Sequence, residues 1–126
     1  MNATAPKPPS ADKLDPDPVD IATMRQTAEE VIANAATITD ADEMETTILL
    51  LRGMIMLLIP EVEVATGKFP RDDVPSICAR ACLTESRTRL RLVAGNDIPQ
   101  QVAHAQRLAR SVRALADHYV NLGGGQ

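Results

Sequence analysis

Tryptophan is missing from this chain, and phenylalanine and tyrosine occur once each, so aromatic residues make up 2% of the 126 residues. A core must therefore be built from Leu, Ile, Val, Met and Ala. Sites that stack bases or methylated ammonium groups on aromatic rings are disfavoured. Cysteine is nearly as scarce: Cys78 and Cys82 are too few for a disulfide scaffold. No glycine-rich phosphate loop exists, because Gly53, Gly67 and Gly95 stand alone. No apolar run reaches the roughly 20 residues that a membrane span needs. The longest, Ile48 to Ile59, is interrupted by Arg52 and Gly53. The N-terminus lacks the basic-then-apolar order of a signal peptide. These absences together predict a protein of the reducing cytoplasm, with no membrane partner. Basic character is lacking too. A net charge of −4 and a pI near 5.1 argue against nucleic acid or an anionic membrane as a general partner.

What is present is ordinary for a soluble globular domain: 44% apolar and 24% charged residues. The length suffices for one compact domain. Residues 1–17 read as a disordered tail, since Pro6, Pro8, Pro9 and Pro16 lie there among small and polar residues. Residues 123–126 read as a flexible glycine-rich end. Between them, residues 18–122 carry four helical segments and no strand pattern. The first is expected to start with Asp17 as N-cap and Pro18 at the first helical position. Ile21, Met24, Ala28, Val31 and Ala35 then recur at helical spacing. The second opens at Asp40, with Glu43 at the capping-box position. Its stripe is Met44, Ile48, Leu51, Ile55, Leu58 and Val62, and Pro60 is expected to kink or split it. The third follows Asp73 and runs to about Val93. The fourth follows Asp97, with Val102, Ala105, Ala109, Val112, Ala116 and Tyr119 as its stripe. The expected fold is all-α: a four-helix up-down-up-down bundle behind a proline-rich tail.

Catalytic and metal-binding patterns are not assembled. A di-iron bundle needs Glu-x-x-His pairs, yet Gln101 and Leu115 stand three residues before His104 and His118. Both histidines read as surface or helix-end residues. Cys78 and Cys82 are one turn apart, but no two further ligands lie nearby to close a tetrahedral site. Cys82 borders the Ala79–Leu83–Leu90 stripe and reads as structural. The sequence therefore predicts no enzyme, no metal and no cofactor.

Two features exceed what a lone bundle requires. Opposite the stripe of the second helix lie Leu49, Leu50, Gly53, Met56 and Leu57, on the side that should meet water. A helix apolar on every side is usually covered on every side. One reading wraps this helix centrally within the chain; the other makes the face an interface, where adaptable Met residues and a close-approach Gly suit a partner. The second feature is charge asymmetry. Residues 1–69 hold 12 acidic and 5 basic side chains, whereas residues 70–126 hold 5 acidic and 8 basic, all Arg. Arg80, Arg87 and Arg91 share one side of the third helix, and Arg107, Arg110 and Arg113 an arc of the fourth. Such a stripe could contact phosphates. The plainer reading is a solvated face or ion pairing, for example Arg113 with Asp117 at i+4.

Leu50-Leu-Arg-Gly, Leu58-Ile-Pro-Glu-Val-Glu and Val74-Pro-Ser-Ile-Cys-Ala-Arg-Ala-Cys resemble motifs in a family of small actinobacterial proteins, abundant in Streptomyces-type genomes and of unknown function. Ala105, Arg107-Leu-Ala-Arg and Asp117-His-Tyr-Val-Asn-Leu are similar too, so the resemblance spans roughly residues 20–122. It implies a helical domain and carries no catalytic residues. The resulting expectation is a non-catalytic, regulatory or protein-interaction module, working as a homodimer or with another helical protein. The alternatives are a nucleic-acid-associated regulator using the arginines, and a carrier of a small apolar ligand.

Overall fold

The computed structural model describes residues 19–124 and contains four helices: α1 (Ile21–Asn34), α2 (Ala41–Thr66), α3 (Val74–Arg91) and α4 (Ile98–Asn121). A 3₁₀ turn, Ala35–Thr37, follows α1. The proline-rich tail, the Asp17 cap, Pro18 and residues 125–126 lie outside the described residues. No strand occurs among those described.

Each helix opens on an aspartate whose carboxylate accepts a backbone N–H three residues on, satisfying one of the amides a helix start leaves without a partner. Asp40 takes the amide of Glu43, Asp73 that of Ser76 and Asp97 that of Gln100. The first helix differs from expectation. Its cap is Asp20, which accepts from the Thr23 amide at 3.1 Å and from the Thr23 hydroxyl at 2.8 Å. Thr23 supplies both bonds to the cap, and the helix starts directly after Asp20, at Ile21. Pro60 does not split α2, which continues through it to Thr66. The ring sits on an exposed position, so it displaces no neighbouring helix. α3 stops at Arg91, two residues before the expected end, with Leu92 already extended. Gly123 and Gly124, read above as part of a flexible end, close α4. Gly123 has φ 95°, its amide donates to the Val120 carbonyl, and Gly124 donates to that of Tyr119. This is the paired-bond helix stop that a left-handed glycine permits.

The core gathers the stripes read from the sequence. Met44, Leu51, Ile55, Leu58 and Val62 of α2 are fully buried with Leu108, Val112 and Leu115 of α4. The helices are not equivalent partners. α4 packs extensively against α1, α2 and α3, and α2 also packs on α3, while α1 rests chiefly on α4. The α1–α4 seam is antiparallel: Arg25 pairs with Asp117 at 2.7 Å, Arg113 with Glu29 at 3.4 Å, and Gln106 donates to the Ile32 carbonyl at 3.2 Å. Because α1 leans away to α4, one long face of α2 is left without an internal neighbour.

Candidate functional site

That bare face is the one singled out in the sequence. Leu49, Leu50, Gly53, Met56 and Leu57 line a single open groove of about 660 Å³, together with Met54 beneath them and Asp20, Thr23 and Met24 from the start of α1. Leu49 is 60% exposed, Leu50 49%, Met56 56% and Leu57 50%. Such exposure in four neighbouring large apolar side chains is what a docking face shows and a monomer surface usually avoids. Met24 and Met54 are buried and form its floor. A Cβ placed on Gly53 would meet nothing within 4 Å, so the glycine serves no packing need inside the chain. It leaves a notch between the four side chains. Asp20 is the one charged residue of the lining, and the bonds from Thr23 hold its carboxyl below the usual carboxylate range. The α1 contribution was not visible in the sequence, since a stripe records burial but not which helix lies across the gap.

The six arginines do not form one free stripe. Arg87 is paired with Glu63 of α2 and Arg113 with Glu29 of α1. The Arg113–Asp117 pair expected from spacing is replaced, because α1 offers Glu29 to one and Arg25 to the other. Arg80 donates to the Arg71 carbonyl at 2.8 Å, and Arg91 to the Thr88 hydroxyl at 3.4 Å. Arg107 and Arg110 are exposed, with no ion pair or side-chain hydrogen bond among the described residues.

His104 is a correction: it is 7% exposed rather than a surface residue. A signal existed, since it precedes Leu108, Ser111 and Leu115 at helical spacing. Burial, and then the charges of Arg52 and Arg107, push its pKa below the usual 6.5. The unfolded chain therefore binds a proton that the folded chain resists, so this residue's contribution to stability is lost as pH falls from 6.5. Urea midpoints should drop between about pH 7.5 and about pH 5.5, and the drop should shrink in His104→Gln. An equal drop in both proteins would refute the assignment. His118 lies in the last turn of α4. Cys78 is exposed; Cys82 is half-buried, and burial raises its pKa. No cluster of three potential metal ligands occurs among the described residues, and no described helix is long and apolar enough to cross a membrane.

No curated protein and no solved structure matches the chain. One family matches residues 22–124, and its description is a family of unknown function, DUF6415.

Proposed function

The chain belongs to that family of unknown function, and from this premise we propose that it is a non-catalytic protein-interaction module that works as a homodimer through the exposed face of α2. The actinobacterial origin suggested by its motifs and a cytoplasmic, regulatory setting are part of the same reading. The carrying observation is the order of residues about Gly53. Leu50 and Met56 stand three residues to either side of it, and Leu49 and Leu57 four. Offsets of three and four keep all of them on one helix face. The pattern therefore reads the same in both directions along the helix. A two-fold contact requires a surface complementary to itself. Two α2 helices crossing antiparallel at Gly53 would set Leu49 of one copy near Leu57 of the other and Leu50 near Met56, with the two notches meeting at the axis.

The area sets what a second copy must cover. The four half-exposed side chains leave on the order of 400 Å² of apolar surface per copy, the scale of a functional patch on a monomer. A stable interface covers about 800 Å² per partner, so the Asp20–Met24 wall of the groove must contribute as well. A different helical partner would require no symmetry on this face, so the symmetric spacing about Gly53 favours the second copy.

Sedimentation velocity over a range of concentrations tests the reading. The wild type is expected to shift from monomer to dimer, and Leu49→Glu with Met56→Glu to remain a folded monomer. Gly53→Ala separates folding from docking. It should stabilise the isolated chain by about 0.5–1 kcal/mol, because alanine outranks glycine in a helix interior, while weakening the dimer by filling the notch. A wild type that stays monomeric at high concentration overturns the proposal.

A further inference from the structure

A second site lies away from the docking groove, where the end of α3 turns into α4. The His104 ring is 7% exposed, yet it makes no hydrogen bond or ion pair among the described residues. It lines two adjoining hollows of about 260 Å³ and about 280 Å³, which share Leu92, Val93 and Ala94. Arg52 and Arg91 border the first and Arg107 the second, and no Asp or Glu lines either. Arg52 from α2 spends one N–H on the Leu90 carbonyl at 2.7 Å. Arg91, the last residue of α3, makes only the 3.4 Å bond to Thr88, and the Arg107 guanidinium of α4 has no partner. Asp97, the nearest carboxylate in sequence, is engaged as the cap of α4.

Four of the ten arginines are neutralised, while Arg71, Arg80 and Arg110 stand singly with no carboxylate partner among the described residues. Arg25, Arg87, Arg89 and Arg113 each meet a carboxylate. Here arginines from three helices line the two hollows that meet at a nearly buried, unpartnered imidazole, Arg52 and Arg107 being the two whose charge acts on it, with no counter-charge in either lining. Like charges gathered beside low-dielectric walls repel one another and raise the local concentration of anions. The walls themselves are apolar, being Ile48, Leu90 and Val93.

We propose that these two adjoining hollows together bind a small organic oxyanion, its carboxylate or phosphate head held at their junction by His104 between Arg52 of the first and Arg107 of the second, and its apolar body lying on Ile48, Leu90 and Val93 of the first. An arriving anion offsets the arginine charge, so the imidazole takes up a proton and becomes a donor to the ligand. This is independent of the α2 face and stands whether or not the chain dimerises.

The test follows the ring resonances of His104 and His118 by NMR in the full chain at low chloride. Inorganic phosphate, acetate and hexanoate are the probes. At least one is expected to move His104 saturably toward its protonated position while His118, at the far end of the same helix, stays in place. Hexanoate should bind at least about tenfold more tightly than acetate if the apolar wall is used; saturation by phosphate alone assigns a phosphate head. Arg107→Gln, at an exposed position that no fold contact needs, should weaken the saturating probe about tenfold or more. Linear drift of both histidines with every probe would show ionic strength acting alone and overturn the site. So would unchanged affinity in Arg107→Gln.

Discussion

Leu58→Ala and Leu108→Ala are each expected to lower the unfolding free energy by about 2–5 kcal/mol, the cost of lost burial plus the cavity left behind. Both side chains are fully buried, one on α2 and one on α4, in the zone where the two helices carry most of the core. With one Phe, one Tyr and no Trp in the chain, few bulky neighbours can collapse into the hole. Domains of this size hold only about 5–15 kcal/mol in total. Either variant should therefore approach the limit of folding. Urea unfolding followed by far-ultraviolet circular dichroism measures the loss, at concentrations low enough to keep the chain monomeric. A loss below about 1 kcal/mol would mean that the α2–α4 contact is not the centre of the core.

Ala109→Leu should be damaging for the opposite reason. Ala28 of α1, Ala35 of the 3₁₀ turn after it, and Ala105, Ala109 and Ala116 of α4 are all completely buried. Along α4, Ala109 and Ala116 alternate with Gln106, Arg113 and Asp117, the residues that reach across to α1. Small side chains there let the two helices approach closely enough for those polar contacts to close. A leucine must push α1 away or leave its rotamer wells, at about 1–3 kcal/mol or more. The Arg25–Asp117 and Arg113–Glu29 pairs should loosen with it, although such half-exposed pairs add only about 0–1 kcal/mol each. Thermal melting and native-state proteolysis at α1 report both effects, and a Tm equal to that of the wild type would contradict the close seam.

The caps Asp40, Asp73 and Asp97 and the stripe of α2 were legible in the sequence because they depend on residues three or four apart. The four-helix, all-α architecture followed from them. The groove was half legible: Leu49, Leu50, Gly53, Met56 and Leu57 announced an uncovered face, but Met24 and Asp20 came from a helix whose docking partner no local pattern specifies. The same gap explains Arg113. Its i+4 neighbour Asp117 offered a partner, and only the tertiary arrangement shows Glu29 winning. The first cap was misplaced because Asp17 and Asp20 both suit the role, and the choice turned on Thr23. His104 was missed through its polarity, although its place in the Leu108–Leu115 row marked it for burial.

Because α1 rests chiefly on α4, opening that single seam would release it while α2, α3 and α4 stay together. Such a partial opening is a local equilibrium with its own free energy, smaller than that of global unfolding. It withdraws Asp20, Thr23 and Met24 from the wall of the α2 groove. Whatever pulls on or modifies the chain ahead of α1 thereby acts on the population of assembled docking surface, without touching a single residue of α2. The lean of α1 toward α4 makes surface availability and helix docking two readings of one equilibrium.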